Sequence, residues 1–316
     1  MNKEIGGYLS FENLNGKEFY DKLLRFNSSR NCLRFLIQTK KIKKIYLPIF
    51  LCDVVYNACL KEQIEIEFYH INEDFSPNLN NVNGYVYIVN YYGLISNEEL
   101  LKYKNIYNNV IVDNTHAFFQ PPVEGIDTIY NCRKYFGVPD GAYLSTDIKI
   151  SSTLEIQTVK DMVGHLLGRM EENASSYYNE FSNNDKKFDL MEIKQMSSFT
   201  HNIMKVIDYD DVLFKRKSNY NLLDKKLKEI QKLKIKNTST FMYPLMVEDN
   251  LLDLRKYMIE NKIYVPCLWN NIPQGIELNN VEKCFQKILP LPIDQRYDEK
   301  DMEYISDLIF KYVQKH

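Results

Sequence analysis

The sequence predicts an α/β protein: a mostly parallel sheet sandwiched by helices, followed by a smaller α+β domain at the C-terminus. Two observations support this fold class. Short β-rich runs alternate with helical patterns over the first half of the chain, the order expected of parallel strands joined by helical crossovers. The chain also has 316 residues, which is enough for one large domain and a small one.

In the first half, short apolar runs and alternating patterns predict strands, while apolar residues at helical spacing predict helices. The most informative strands lie at residues 110–112, which lead directly into Asp113, and at 128–130, which end just before residues 131–134. A turn is expected at Tyr91–Gly93. The predicted helices are 16–24, 30–39, 53–61 and 97–104, and the predicted strands are 45–47, 64–70, 85–89, 110–112 and 128–130.

The second half is mainly helical and polar up to about residue 215, and residues 173–187 are expected to form a mobile connection. A long helix should follow residue 215. The remaining predictions are strands at 239–247 and 263–265 and helices at 251–260 and 299–315. We therefore expect a large domain over residues 1–215 and a small C-terminal domain over residues 216–316.

Composition excludes several classes of protein. The net charge of −2 comes from 40 basic and 42 acidic residues, so a nucleic-acid partner is not expected. The six cysteines form no CxxC pair, and no apolar run approaches the length of a membrane span. The histidines have no ligand-like spacing, so no metal is expected. These features favour a soluble cytoplasmic protein with reduced thiols and no membrane partner.

Lys134 is the first candidate for chemistry. It follows an apolar strand, is flanked by Arg133 and Tyr135, and precedes a turn rich in glycine and proline. Burial and the neighbouring Arg133 cation would both lower the pKa of the amine, which would leave it neutral and able to form an imine. The alternative is a surface lysine in a turn, and by itself that alternative is the commoner one.

Asp113 is the second candidate, at the end of the strand before Lys134's own strand. A carboxylate at that position can pair with a protonated pyridine nitrogen and keep the ring an electron sink. His116 could stack on such a ring or hydrogen-bond to it. Taken singly, Asp113 could equally be a helix N-cap and His116 a core histidine. Together with Lys134, they are expected to meet at neighbouring strand ends.

A third candidate is the start of the helix predicted at 30–39. Ser29 and Arg30 stand where small hydroxyl side chains and free backbone N–H groups favour an anion. Arg30 would add a positive charge to this phosphate site. A plain serine N-cap is the simpler alternative. The sequence contains neither a GxGxxG nor a Walker motif.

Taken together, these motifs resemble the DegT/StrS-type sugar aminotransferases, which are pyridoxal-phosphate enzymes of the aspartate-aminotransferase-like fold type I. The resemblance spans nearly the whole chain in matching order. It is carried by Ser-Ser-Arg-Asn-Cys-Leu at 28–33, Leu-Pro-Ile-Phe-Leu-Cys at 47–52, Asp-Asn-Thr-His-Ala-Phe at 113–118, Lys134 before Gly-Val-Pro-Asp-Gly at 137–141, and the tail segments 241–245, 263–269 and 289–293.

The resemblance implies a role for each matching residue. Lys134 would be the Schiff-base lysine and proton shuttle, Asp113 the partner of the pyridine nitrogen, and His116 a contact of the cofactor hydroxyl. Ser29 and Arg30 would bind the phosphate, and Asn131 takes a polar position three residues before the lysine. An aromatic residue normally lies against the cofactor ring in this family, and either Phe50 or Cys52 occupies that position here.

The implied activity is transfer of an amino group from glutamate or glutamine to a keto sugar, by family resemblance a nucleotide-linked one, in surface polysaccharide or sugar biosynthesis. The cofactor is pyridoxal 5'-phosphate (PLP), and a homodimer with the site at its interface is expected. The chain departs from the family where the usual Gly-Thr is Ser29-Arg30 and where the stretch after Lys134 is short. A PLP lyase or decarboxylase, or a family member that only binds, therefore remains an alternative.

Overall fold

The computed structural model describes residues 5–149, 153–247 and 251–314. Its main feature is an eight-stranded sheet with the strand order β1-β8-β7-β6-β5-β2-β3-β4. The strands are β1 (Leu24–Phe26), β2 (Lys44–Pro48), β3 (Glu65–Ile71), β4 (Pro77–Asn78), β5 (Tyr85–Val89), β6 (Val110–Asp113), β7 (Asp127–Asn131) and β8 (Ala142–Ser145).

The five central strands, β7, β6, β5, β2 and β3, run parallel to one another. β8 is antiparallel to both β7 and β1, and β4 is antiparallel to β3. Every residue of β6 is buried. Since successive side chains of a strand point to opposite faces, both faces of the sheet are covered at this strand. The α/β fold class with a mostly parallel sheet is therefore confirmed.

Ten α-helices are present in the described ranges, and several match the sequence predictions closely. α2 and β5 have the predicted bounds, and α1 begins one residue before its prediction because Ser28, not Ser29, is the N-cap. The helices are α1 (Ser29–Thr39), α2 (Asp53–Lys61), α3 (Asn97–Tyr107), α4 (Gly164–Glu171), α5 (Tyr178–Lys187), α6 (Ser198–Met204), α7 (Tyr209–Leu227), α8 (Leu251–Glu260), α9 (Asn280–Phe285) and α10 (Glu299–Val313).

A second hydrophobic core lies outside the main sheet. It is built from α7, α8 and α10 together with a two-stranded antiparallel sheet of β9 (Met242–Leu245) and β10 (Leu289–Pro292). Leu223, Tyr243 and Ile309 are among its fully buried members. The boundary expected between residues 215 and 216 falls inside α7, so the division into two domains stays a prediction.

The helix predicted at residues 16–24 is wrong. Turns occupy residues 19–22, and the chain then enters β1, which pairs with β8. Tertiary contacts explain the difference. The Tyr20 hydroxyl donates to the carbonyls of Phe118 and Gln120, at 2.6 and 2.9 Å. The buried Glu18 carboxylate accepts from Arg25 and Tyr143. These hydrogen bonds fix an extended path that the local helical pattern does not reveal.

Two further predictions in the second half are wrong. The expected connection at 173–187 contains α5, which is held by Glu180, whose carboxylate accepts the backbone N–H of His165 at 2.9 Å. The strand expected at 263–265 is absent from the described ranges, because the Val265 carbonyl accepts from Arg255 Nε at 2.9 Å and takes part in no ladder. The sequence analysis also missed the strands β1, β4, β8 and β10.

Candidate active site

Two neighbouring parallel strands bring the principal candidates to one edge of the sheet. Asp113 is the last residue of β6, and Lys134 ends a short 3₁₀ turn (Cys132–Lys134) that follows β7. Asn131 starts this turn, and its side-chain oxygen accepts the N–H of Arg133 at 3.0 Å. In sheets of this kind, ligands bind where the carboxyl ends of the strands meet the following loops.

The Asp113 carboxylate is buried and partly satisfied. Only 9% of the residue is exposed. One oxygen accepts the Tyr87 hydroxyl and the other accepts the Thr115 N–H, both at 2.9 Å. Burial raises the pKa of the carboxyl, while these hydrogen bonds and the charge of Lys134 act in the opposite direction. Each carboxylate oxygen has a second lone pair, so a cationic N–H can still be accepted.

Lys134 is exposed to solvent, although protein atoms lie close enough to its amine to desolvate it in part. It makes no hydrogen bond or ion pair with any described residue. Burial is the main cause that lowers its pKa, and the charges of Arg133 and Arg30 lower it further. Cys52 and Asp185 act in the opposite direction. The result is an amine that is more easily neutral than an ordinary lysine.

His116 lies in an aromatic pocket next to the strand ends. Its ring stacks on Phe241, with the centroids 3.8 Å apart and the planes at 17°. Only 7% of the residue is exposed, and burial holds the pKa of the imidazole well below its ordinary value, with a further contribution from Lys134. A neutral imidazole has one nitrogen that donates a hydrogen bond and one that accepts a hydrogen bond.

The N-terminus of α1, at Ser28, Ser29 and Arg30, is the candidate anion site. Ser28 caps the helix, and its hydroxyl accepts the Asn31 N–H at 3.2 Å. Ser29 and Arg30 then open the first turn, where backbone N–H groups and the helix dipole favour negative charge. The Arg30 side chain is 14% exposed, and its Nε lies 3.4 Å from Asp189 Oδ1 without forming a hydrogen bond.

Among the described residues, four buried side-chain polar atoms have no hydrogen-bond partner: Ser29 Oγ, Arg30 Nε, Asn114 Nδ2 and His116 Nδ1. Three of the four belong to residues that the sequence analysis assigned to the cofactor, and the fourth adjoins Asp113. An unpaired buried polar group costs about 1–3 kcal/mol, so proteins normally pair such groups. Their concentration here fits a polar ligand with a phosphate at Ser29 and Arg30 and a polar substituent at His116.

Phe50 and Cys52, the two alternatives for the ring-facing residue, have different surroundings. Phe50 is 1% exposed and packs on Trp269 and Phe285 in the main core. Cys52 is exposed at the N-cap of α2. Protein atoms close to its thiol nevertheless desolvate the thiolate and raise the pKa, while the nearby Lys134 charge lowers it. The Lys134 amine is therefore close enough to Cys52 to influence the charge of its thiol.

The sequence analysis missed an acidic and aromatic segment that covers the arginines of the site. Asp185 accepts from Arg133 Nη2 at 2.9 Å, and Asp189 approaches Arg30. Between them, Phe188 is buried, and the guanidinium carbon of Arg133 lies 4.1 Å from its ring centroid. Because this segment is 52 residues from Arg133 in the chain, no local pattern could have identified the pairing.

Neither a metal cluster nor a membrane-spanning helix is found in the described part of the chain. Within residues 5–149, 153–247 and 251–314, no group of three or more His, Cys, Asp or Glu side chains is arranged to hold a metal ion. None of the helices in these ranges is both long and apolar enough to cross a lipid bilayer.

Comparison with known proteins gives the fold. No protein-family model matches the sequence, and neither does any curated protein. The structure is nevertheless similar to the sugar aminotransferase CalS13 from Micromonospora echinospora, with a TM-score of 0.63, 13% identity, and coverage of 92% of this chain and 87% of that one. It is also similar to Helicobacter pylori PseC, an aminotransferase involved in the biosynthesis of pseudoaminic acid (TM-score 0.64, 13% identity, coverage 93% and 87%).

A third similar structure is Spr1654 from Streptococcus pneumoniae in its PLP form, with a TM-score of 0.64, 12% identity, and coverage of 90% of this chain and 85% of that one. At sequence identities of 12–13%, the similarity shows only that the fold is shared. The chain therefore has the fold of the sugar aminotransferases.

Proposed function

We propose that the chain is a PLP-dependent aminotransferase of the DegT/StrS type, with Lys134 as the covalent attachment point of the cofactor. The supporting observation is the set of buried atoms without hydrogen-bond partners at Ser29, Arg30 and His116, together with a lysine of lowered pKa and a buried Asp113. These groups have the chemistry that the phosphate, ring hydroxyl, aldehyde and ring nitrogen of PLP require. The shared fold and the order of the sequence motifs agree with this assignment.

When bound, PLP supplies a ring that accepts electrons from the carbon atom bearing the transferred amine. Each residue would then have a defined task. Asp113 would accept a hydrogen bond from the ring nitrogen and keep it protonated. Ser29 and Arg30 would hold the phosphate at the start of α1, and His116 Nδ1 would contact the ring hydroxyl. The Lys134 amine would move the proton between the two carbon atoms, as general base and then acid.

We propose glutamate or glutamine as the amino donor and a keto sugar, most simply a nucleotide-linked one, as the acceptor. The solved structures with this fold include sugar aminotransferases, and one of them is described as acting in pseudoaminic acid biosynthesis. The sequence resemblance points to the same chemistry. A place in surface polysaccharide or sugar biosynthesis follows from this substrate class.

We further propose a homodimer with the site at the interface, located in the cytoplasm. The six cysteines are all unpaired thiols, which fits a reducing compartment. Analytical ultracentrifugation of the purified chain should give twice the monomer mass of 37.6 kDa. A monomer that still binds PLP and transfers amines would reject the dimer without rejecting the activity.

The activity is tested by a half-reaction. The PLP-loaded protein is mixed with glutamate, and 2-oxoglutarate is measured by an independent enzymatic assay. We expect stoichiometric 2-oxoglutarate from the wild-type chain and none from Lys134→Ala. Release of carbon dioxide instead would favour a decarboxylase. Retention of PLP through gel filtration without any reaction with amino acids would favour a protein that only binds the cofactor.

A further inference from the structure

Residues 185–195, named the strap here, are tied to α1 by hydrogen bonds from helix side chains to strap carbonyls. Asn31 Nδ2 donates to the Glu192 carbonyl at 2.8 Å. Arg34 Nη1 donates to the Met191 carbonyl at 3.2 Å. These hydrogen bonds hold the strap against α1 at residues 191 and 192, shortly after Asp189.

Asp185 and Asp189 of the strap each contact one arginine of the candidate site, but the two contacts differ in kind. Asp185 Oδ1 accepts a hydrogen bond from Arg133 Nη2 at 2.9 Å. Asp189 Oδ1 is 3.4 Å from Arg30 Nε, and this nitrogen makes no hydrogen bond. The Asp185 pair is a charge-assisted hydrogen bond, whereas the Asp189 pair is a looser electrostatic contact.

Phe188 lies between the two pairs and restricts their movement. It is 1% exposed, and the guanidinium carbons of Arg133 and Arg30 lie 4.1 and 5.7 Å from its ring centroid. Arg133 is therefore fixed by a ring and a hydrogen bond. Arg30 has a more distant ring contact and a half-exposed carboxylate, since 51% of the Asp189 side chain is accessible.

We propose that Asp189 acts as an internal substitute for phosphate on Arg30. Its carboxylate separates from Arg30 when a phosphate-bearing ligand binds at Ser29 and Arg30. The phosphate dianion and Asp189 would otherwise repel each other across the same guanidinium. Asp189 thus weakens phosphate binding, while Asp185 keeps Arg133 in place in both states. The identity of the ligand as PLP rests on the proposed function, but the exchange of one anion for another does not.

The test measures dissociation constants at constant ionic strength, because salt screens such interactions. Inorganic phosphate is titrated by calorimetry and PLP by equilibrium dialysis, for the wild-type chain, Asp189→Asn and Glu192→Gln. Glu192 is the matched control. It lies on the same strap and loses the same charge, but it pairs with Arg34 and Lys61 and not with Arg30.

For Asp189→Asn we expect both ligands to bind about two- to five-fold more tightly than to wild type, the range that releasing one half-exposed ion pair permits. Glu192→Gln should change either constant by less than about half of that. Equal or weaker binding by Asp189→Asn, an equal gain in both variants, or no phosphate binding to any form would overturn the proposal. Tighter phosphate binding without any PLP binding would support the anion exchange and reject the proposed function.

Discussion

At the scale of single residues, the charge state of Lys134 depends on cations and carboxylates that lie close to it. Burial and the charges of Arg133 and Arg30 lower the pKa of the amine, and Asp185 raises it. Only the neutral amine can attack the aldehyde of PLP, so this balance sets the pH range in which the cofactor is captured.

Replacing Arg133 by glutamine should raise the pKa of Lys134. The variant removes a neighbouring positive charge and also frees Asp185, whose carboxylate stabilises the ammonium form. The pH at which cofactor capture is half-maximal should therefore move upward. Stopped-flow absorbance of PLP capture across a pH series measures it. Arg296→Gln, which removes a cation paired with Asp294, is the control and should leave the midpoint unchanged.

Asp113→Asn should change how the stability of the ligand-free chain depends on pH. Burial raises the pKa of the Asp113 carboxyl above its ordinary value of 3.8, so the folded state binds more protons than the unfolded state. Stability contributed by this group is present at low pH and is lost as pH rises from 3.8 through the folded-state pKa. The wild type should therefore lose stability relative to Asp113→Asn over that interval in urea titrations. A difference that is independent of pH would contradict this.

How far the sequence predicts the site depends on the distance over which each residue acts. Asp113 and Lys134 could be identified because each follows a short apolar strand, and parallel strands end at the same edge of a sheet. The positions of Asp185 and Asp189 could not be predicted. Their partners, Arg133 and Arg30, lie far away in the chain, and only the folded path of the strap brings them together.

At the scale of secondary structure elements, the buried Asp140 fixes the start of α6. Its carboxylate accepts the N–H and the hydroxyl of Ser197 at 2.8 and 2.6 Å, and also the hydroxyl of Thr200. The Ser197 hydroxyl in turn accepts the Thr200 N–H at 3.1 Å. Asp140 belongs to the turn that follows Lys134, so α6 is anchored to the segment that carries the candidate lysine.

Asp140→Ala should destabilise the chain by about 2–4 kcal/mol, because it leaves three buried donors without their shared acceptor. Ser197→Ala removes the helix cap but leaves the carboxylate, and should cost about 1 kcal/mol. Urea denaturation followed by far-ultraviolet circular dichroism gives both values. Similar losses for the two variants would show that Asp140 contributes nothing beyond the cap.

Elements were predictable where local pattern and tertiary contacts agree. α2 combines helical periodicity with an acidic residue in its first turn and Lys61 in its last, and its predicted bounds are those of the structure. Residues 16–24 have a helical pattern, but the hydrogen bonds of Tyr20 and Glu18 to distant partners impose turns instead. β8 is only four residues long and gave no signal, although it pairs with both β7 and β1.

At the scale of the whole molecule, Arg216 connects the second hydrophobic core to the candidate site. The residue is 2% exposed. Its guanidinium donates to the carbonyl of Thr240 at 2.8 Å, to that of Tyr135 at 3.2 Å, and to Gln295 Oε1 at 2.9 Å. Gln295 also donates to the Tyr135 carbonyl, at 2.8 Å. Tyr135 directly follows Lys134, so the second core supports the turn that presents the lysine.

Arg216→Gln should lower the free energy of unfolding by at least about 3 kcal/mol, because several buried carbonyls lose a charged donor. The two cores should also unfold at more widely separated urea concentrations than in the wild type, because the link between them is weakened. Fluorescence of Trp269, the single tryptophan, and circular dichroism would then give separate urea midpoints. The neighbouring Lys215→Gln removes only an exposed pair with Asp211 and should cost less than about 1 kcal/mol.

The central claim is that one particular lysine among many holds the cofactor. The most direct measurement is to incubate the chain with PLP, reduce it with borohydride, and map the modified peptide by mass spectrometry. The account predicts a single phosphopyridoxyl group on Lys134, absent from Lys134→Ala. Labelling spread over exposed lysines, or a stoichiometric label on another lysine with Lys134 unmodified, would contradict it.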